Sequence, residues 1–211
     1  MRKLFLLTCF VSSCLVSALA VAQSSTPGSN GSIDISVQRE PGSEGEFYAV
    51  QASMIVEATP QRSWQVMTDY DHLATFVPGF TSSHMVTRIG NDGVLAQEGF
   101  VRFLFIKQSI NLLLDVHEEP YSKVDLNLLQ GNMRHYEAHW QLIPVDTLHT
   151  RILYNARLAP TFFVPPIIGV TMMKGDLHKM LDAVSLKIEQ GSELPGPLSG
   201  PVQLPQAVAH P

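Results

Sequence analysis

The stretch Pro165–Gln190 limits what this chain can fold into more than any other. Val170, Met173, Leu177, Leu181, Val184 and Ile188 recur at steps of three and four, which places them on one helical face. Lys174, His178, Asp182 and Glu189 fall on the other side. Pro165 and Pro166 suit a first turn, and Gly191 stands where a glycine commonly ends a helix. At ~1.5 Å per residue the apolar stripe is about 35 Å long. A stripe of that length needs a cover of similar length, and the chain upstream offers mainly strands. The spacing therefore predicts a sheet closed over one long terminal helix.

The strands are read from alternation and turn chemistry. Phe47–Ala58 alternates β-formers with polar residues. Thr59 then stands as an N-cap with Pro60 at the first helical position, opening a helix that carries Trp64, Val66 and Met67 inward. A second short helix covers Tyr70–Phe76 before Val77-Pro78-Gly79 turns the chain. This pair is expected to bridge two strands at one edge of the sheet. Phe80–Ile89 follows, and Gly90-Asn91-Asp92-Gly93 is a hairpin signal. Val94–Phe105, Gln108–Glu119, Lys123–Gln130, Met133–Ile143 and Thr147–Ala159 continue as a meander joined by short turns. The order is α+β: about seven antiparallel strands, two short helices after the first, and a long helix last.

The ends read differently. Arg2 and Lys3, the apolar run Leu4–Val16 and Ala20-Val21-Ala22 before Gln23 have the form of a secretory signal peptide over residues 1–22. Val11-Ser12-Ser13-Cys14 loosely imitates a lipidation signal, against which Leu15–Ala22 stays apolar beyond the cysteine. Both cysteines, Cys9 and Cys14, lie inside this segment, so its removal leaves no disulfide and no thiolate chemistry. Export to a bacterial periplasm, with no stable membrane span after cleavage, is the expectation. Removal also changes 14 basic against 19 acidic residues into 12 against 19, a net charge of −7. A chain that acidic, without a basic run, is a poor nucleic-acid partner. Residues 23–45 read as a flexible leader in which Ile33, Ile35 and Val37 alternate briefly, enough for a short edge strand. The domain is expected over 46–190 and a Pro-rich disordered tail over 191–211.

Ala58-Thr59-Pro60, then Trp64-Gln65-Val66-Met67-Thr68-Asp69-Tyr70, Leu73 and Phe76-Val77-Pro78-Gly79 resemble the START-like (SRPBCC) superfamily, within it the coenzyme-Q-binding and polyketide cyclase/dehydrase branch. Gly131, Glu137, Trp140-Gln141-Leu142, Thr150-Arg151 and Tyr154 resemble that family's last two strands. The resemblance implies a helix-grip fold, a curved antiparallel sheet around the C-terminal helix with an apolar cavity between them. It also implies an apolar small-molecule ligand, such as a lipid, quinone or polyketide, either carried or cyclised and dehydrated. A protein-interaction module with a filled core is the third reading.

Strand alternation selects the cavity residues. Tyr136, Ala138, Trp140 and Leu142 share one face, joined by Tyr154, Leu112, Leu114 and Leu126. Phe76, Phe80, Phe162, Met173 and Leu177 complete the expected wall; Arg102, in an apolar strand, could hold an acidic headgroup if buried, with exposure at the strand edge the favoured reading. A buried phenol needs a partner, in the protein or on a ligand. Met172 and Met180 add soft, adaptable surface to the helix. Gly169 and Gly175 loosen its front, which marks Ile167–Met173 as the expected entrance. His135-x-Glu137-x-His139 has metal-ligand residue types. Residues two apart on a strand lie near 7 Å from each other, too far for shared ligation, and this face is expected to be solvated. No metal and no cofactor is expected, and no catalytic residue is assigned: phosphate loop, nucleophile elbow and H-E-x-x-H are all missing.

Overall fold

A computed structural model of the chain describes residues 32–43, 45–103, 106–165 and 168–191. The expected signal peptide and Pro-rich tail lie outside these residues. The strands are β1 (Asp34–Gly42), β2 (Gly45–Val56), β3 (Phe80–Ile89), β4 (Asp92–Phe103), β5 (Ile106–Glu119), β6 (Lys123–Gly131), β7 (Met133–Pro144) and β8 (Thr150–Pro160). The helices are α1 (Pro60–Met67), α2 (Leu73–Phe76) and α3 (Gly169–Glu189), with a 3-10 turn over Tyr70–His72. All described strands join one antiparallel sheet in the order β1-β2-β8-β7-β6-β5-β4-β3. The sheet curves around α3 without closing, which is the expected helix grip.

Three features depart from the sequence reading. The described strands number eight, because the alternation at Ile33–Val37 belongs to a nine-residue strand. β1 pairs with β2 in unbroken register from Asp34↔Ser53 to Gly42↔Gly45, so folded structure starts inside the stretch read as leader. Val37 is buried, and Ile33 and Ile35 pack against the core. Burial of this short apolar set, with a full ladder of hydrogen bonds, outweighs the local Gly/Ser/Pro bias. Second, the short helices do not sit at one edge. They carry the chain from β2, near one side of the sheet, to β3 at the far edge. Third, α3 begins at Gly169, not at Pro165. Pro165 precedes another proline, which biases its backbone away from the helical region. Its carbonyl instead accepts from Gly169 N at 2.8 Å and so starts the helix from outside.

Local chemistry fixes the helix ends. Thr59 Oγ1 accepts from Arg62 N at 3.3 Å, the expected N-cap, with Pro60 at the first position. Arg62 also reaches the other end of the fold. Its Nε donates to Ile188 O at 3.1 Å and its Nη2 to Lys187 O at 3.0 Å, satisfying carbonyls at the end of α3. Gly191 makes this possible, since a Cβ there would sit 2.2 Å from the guanidinium.

The apolar stripe of α3 changes character halfway. Leu181, Val184 and Ile188 are buried, and with Trp64 and Val66 of α1 and Val56 of β2 they seal the rear of the grip. Val170, Met173 and Leu177 are only half-buried. Met173 and Leu177 face open space, and that space is the site.

Candidate functional site

Between the front of α3 and the concave face of the sheet lies a cavity of about 620 Å3. Val50 on β2, Ile110 and Leu112 on β5, and Leu158 on β8 form its apolar floor. Met172, Met173, Leu177 and Met180 of α3 cover it, and Phe162 and Val164 flank its mouth. A smaller recess of about 80 Å3 continues behind it, sharing Phe80, Gln97, Tyr136, Tyr154 and Met180 and adding Leu126 and Trp140. Gly99 keeps the front of β4 thin. A Cβ there would meet the Gly79 carbonyl oxygen at 2.5 Å, so only glycine lets the β3 turn approach while leaving the cavity wall bare.

The structure brings together ten of the residues selected from the sequence. Phe80, Leu112, Tyr136, Tyr154, Phe162, Met173 and Leu177 line the main cavity, with Arg102 on its rim. Leu126 and Trp140 line the recess. Leu114 and Phe76 are not on either wall. Leu114 is fully buried in the packed sheet core, one inward position beyond Leu112. Phe76 sits at the far end of α3, where Lys187 Nζ lies 5.8 Å from its ring centroid. Arg102 departs from the role considered for it. Strand alternation sets it on the face of Phe100, opposite Gln97 and Val101, and its exposed guanidinium stacks 4.7 Å from the Phe100 ring. It is not a buried group aimed into the cavity. The reading of a core filled by its own side chains does not agree with an open space of this size.

Two wall residues were missed for a physical reason. Met133 and Tyr136 are of opposite parity on β7, yet both line the cavity. The register slips between Met133 and His135, and one extra residue at a bulge moves Met133 onto the inner face. Gln97 is polar in an otherwise mostly apolar inward series on β4, and its place in the wall is set by pairing with Ser83 of β3. The Leu95, Gln97, Val101 alternation carries that signal, and Gln97 Nε2 donates to the buried Ser83 Oγ at 3.5 Å.

Tyr136 and Tyr154 are the polar groups deepest in the wall. The Tyr154 ring packs against Trp140 with centroids 4.3 Å apart. Burial pushes both phenols above their ordinary pKa, and the neighbouring Tyr136 hydroxyl raises Tyr154 further. Both are therefore protonated at neutral pH. They can donate a hydrogen bond, and neither can serve as a base.

The histidine face is half-buried rather than fully solvated; His135 Nε2 is enclosed 3.6 Å from Glu137 Oε2 with no hydrogen-bond partner among the described residues, whereas both ring nitrogens of His139 are taken. His139 Nδ1 is 2.6 Å from Asp125 Oδ1 and its Nε2 is 3.2 Å from Glu137 Oε1, while Lys123 Nζ also holds Asp125 at 2.7 Å. Among the described residues no group of three His, Cys, Asp or Glu is arranged to hold a metal ion. Asp69, Tyr70 and Asp71 serve the turn: Asp69 pairs with His72 at 2.7 Å and Asp71 accepts from Met85 N at 2.9 Å. Tyr70 has a further role that local sequence does not show. Its hydroxyl donates to Glu118 Oε1 at 2.9 Å, and Arg88 grips the same carboxylate with bonds of 2.8 and 3.0 Å. This buried cluster ties the 3-10 turn to β3 and β5.

Exposed histidine–carboxylate pairs set a pH dependence. Hydrogen bonds to Asp69 and Asp92 raise the pKa of His72 and His117 in the folded state. A raised folded pKa gives stability that is fully present below the unfolded value of about 6.5 and is lost as pH rises through the folded value. The thermal midpoint is therefore expected to fall modestly as pH rises above about 6.5. Joint H72Q and H117Q substitution should flatten that slope, as followed by circular dichroism. An unchanged slope would mean that these pairs do not persist in solution.

The comparisons agree with this architecture. The chain matches the family model for polyketide cyclase / dehydrase and lipid transport over residues 56–204. No curated protein matches it. Among solved structures it is similar to a STAR-related lipid transfer protein from Xanthomonas axonopodis, with TM-score 0.61, 11% identity, and 76% of this chain and 96% of that one covered. It is also similar to a START superfamily protein from Mycobacterium smegmatis, with TM-score 0.58, 16% identity, and 67% and 97% covered. A third is the Zhui aromatase/cyclase from a Streptomyces species, with TM-score 0.57, 13% identity, and 68% and 94% covered. At such identities the likeness is one of fold. Among the described residues no helix is long and apolar enough to cross a membrane. With the family matched over most of the chain, from the end of β2 through α3, the protein belongs to the polyketide cyclase / dehydrase and lipid transport family of START-like folds.

Proposed function

We propose that the protein is an exported binding protein for an apolar small molecule held between the sheet and α3. The cavity of about 620 Å3, walled mainly by aliphatic, methionine and aromatic side chains, carries this reading. It has the size and lining of a small-molecule site. A cavity of this volume has room for a single apolar chain or a few fused rings. Ligand enters past Phe162 and the front of α3, where the helix is half-buried and a side chain added at Gly175 would meet only open space. Export rests on the form of residues 1–22, together with cysteines confined to that segment.

The test is native mass spectrometry of protein purified from the compartment into which its own cell exports it, paired with a cavity-filling variant. Wild type should carry an apolar molecule that organic extraction releases. Met173→Trp should lower occupancy at least ~10-fold with little loss of fold, since it adds volume where space already exists. Undiminished occupancy in that variant would place the ligand elsewhere. A second reading, a cyclase or dehydratase, is favoured by one observation: protonated phenols on an apolar wall can polarise a substrate carbonyl. It requires turnover that falls in the phenylalanine variants of Tyr136 and Tyr154.

A further inference from the structure

The mouth end of the molecule differs in surface chemistry from the rest. β8 ends at Pro160 and α3 begins at Gly169, so the connection carrying Phe162, Phe163 and Val164 borders the opening. Phe162 and Val164 line the cavity, whereas Phe163 between them is 76% exposed, the most exposed of the described aromatic side chains. At the rim formed by β4, Phe100 is half-buried and two cations lie on its ring. Lys107 Nζ is 4.2 Å and the Arg102 guanidinium 4.7 Å from the centroid. Lys174 stands exposed on the second turn of α3, between the cavity residues Met173 and Gly175.

These three cations are uncompensated. Elsewhere Arg39, Arg88, Lys123, Arg157 and Lys179 each pair with a carboxylate, and Arg62 is held by the carbonyls that close α3. Arg102, Lys107 and Lys174 have no carboxylate partner among the described residues. The carboxylates on the rim are Glu98 and Asp176, and Asp176 is taken by Lys179 at 3.2 Å. The opposite end has the reverse balance, with Asp92, Glu119 and Asp146 in its hairpin turns and Asp69 and Asp71 beside its short helices. The net negative charge of the chain therefore gathers away from the mouth.

We propose that the mouth end is a docking surface for an anionic lipid bilayer, with Phe163 entering the interface and Arg102, Lys107 and Lys174 meeting headgroup phosphates. An exposed aromatic ring flanked by cations suits a boundary that is apolar on one side and negatively charged on the other. A second copy suits it less, because a twofold contact would set the three cations against their own images. The acidic far end is repelled by the same bilayer, so attraction and repulsion together turn the mouth towards it. An apolar molecule leaving the cavity would then pass into hydrocarbon without crossing water.

Co-sedimentation of the exported protein with vesicles of phosphatidylcholine, with and without phosphatidylglycerol, tests this. Wild type should bind the anionic vesicles at least ~10-fold more tightly, and the preference should shrink as salt is raised. Phe163→Ser should weaken binding about 10-fold, the scale of one aromatic side chain withdrawn from an apolar phase. Joint Arg102→Gln, Lys107→Gln and Lys174→Gln should abolish the preference for anionic vesicles. Arg151→Gln and Leu186→Ser change an exposed cation and an exposed apolar residue near the far end, and should bind as wild type does. All these side chains are exposed, and unaltered thermal midpoints would show that the variants fold. Equal losses in the far-end variants, or no preference for anionic vesicles, would overturn the docking surface. A dimer that Phe163→Ser disperses, with no vesicle binding, would overturn it in favour of a second copy. Docking is read without a ligand, so its failure leaves the binding function standing, and an empty cavity would leave docking standing.

Discussion

Arg88→Met lowers the unfolding free energy by about 3 kcal/mol, the low end of what is lost when one partner of a buried ion pair is removed. The Glu118 side chain is only 7% exposed, and its two oxygens are taken by Arg88 and Tyr70. Without the guanidinium, a carboxylate stays in an apolar setting with a single phenol to hold it. Arg88 itself is 42% exposed and is partly hydrated already, which is why the loss stays below the upper end of the range. Adding Glu118→Gln to that variant should recover part of the loss. The amide removes the stranded charge and still accepts from the Tyr70 hydroxyl. Urea unfolding of wild type, both single variants and the double variant closes the cycle. Additive losses would show that the cluster is not a coupled unit. The loss should leave the cavity intact, since neither Arg88 nor Glu118 touches its wall.

The second large effect separates the two halves of α3. Leu181 is 1% exposed and wedged in the rear of the grip, so Leu181→Ala leaves a void and should cost about 3 kcal/mol. Leu177, one turn earlier on the same face, is half-buried and already borders open space. Leu177→Ala removes less buried area and creates no new void, and about 1 kcal/mol is expected. Leu177→Ala should instead change ligand affinity, which Leu181→Ala should not do at a temperature where it remains folded. Equal destabilisation by the two substitutions would mean that the front of α3 is packed as tightly as the rear, and the cavity would then not exist in solution.

This contrast shows where the sequence stops being informative. All six stripe residues of α3 satisfy the same period of three to four, and nothing in that period separates Leu177 from Leu181. Burial separates them, and burial depends on how far the sheet curves at each point along the helix. Arg102 shows the same limit: the sequence leaves open whether an arginine among apolar residues is buried or exposed, and the structure leaves it exposed, stacked on Phe100. Met133 needed a bulge that the sequence of β7 does not announce.

The sequence by itself determined the order and type of the elements, from the Thr59-Pro60 helix start through the hairpin meander to the terminal helix. These depend on backbone preferences and on periods of two and 3.6, which act between near neighbours in the chain. It also picked out part of the cavity wall, because alternation along β5, β7 and β8 follows the same local rule. Tertiary structure alone decided that β1 joins the sheet, that Leu114 lies in the core while Leu112 meets the cavity, and that Tyr70 and Arg88 share Glu118 across 48 and 30 residues of chain. Each of those depends on which strands lie side by side and on how the sheet bends around α3. Such contacts form between distant segments whose free energy no local pattern encodes.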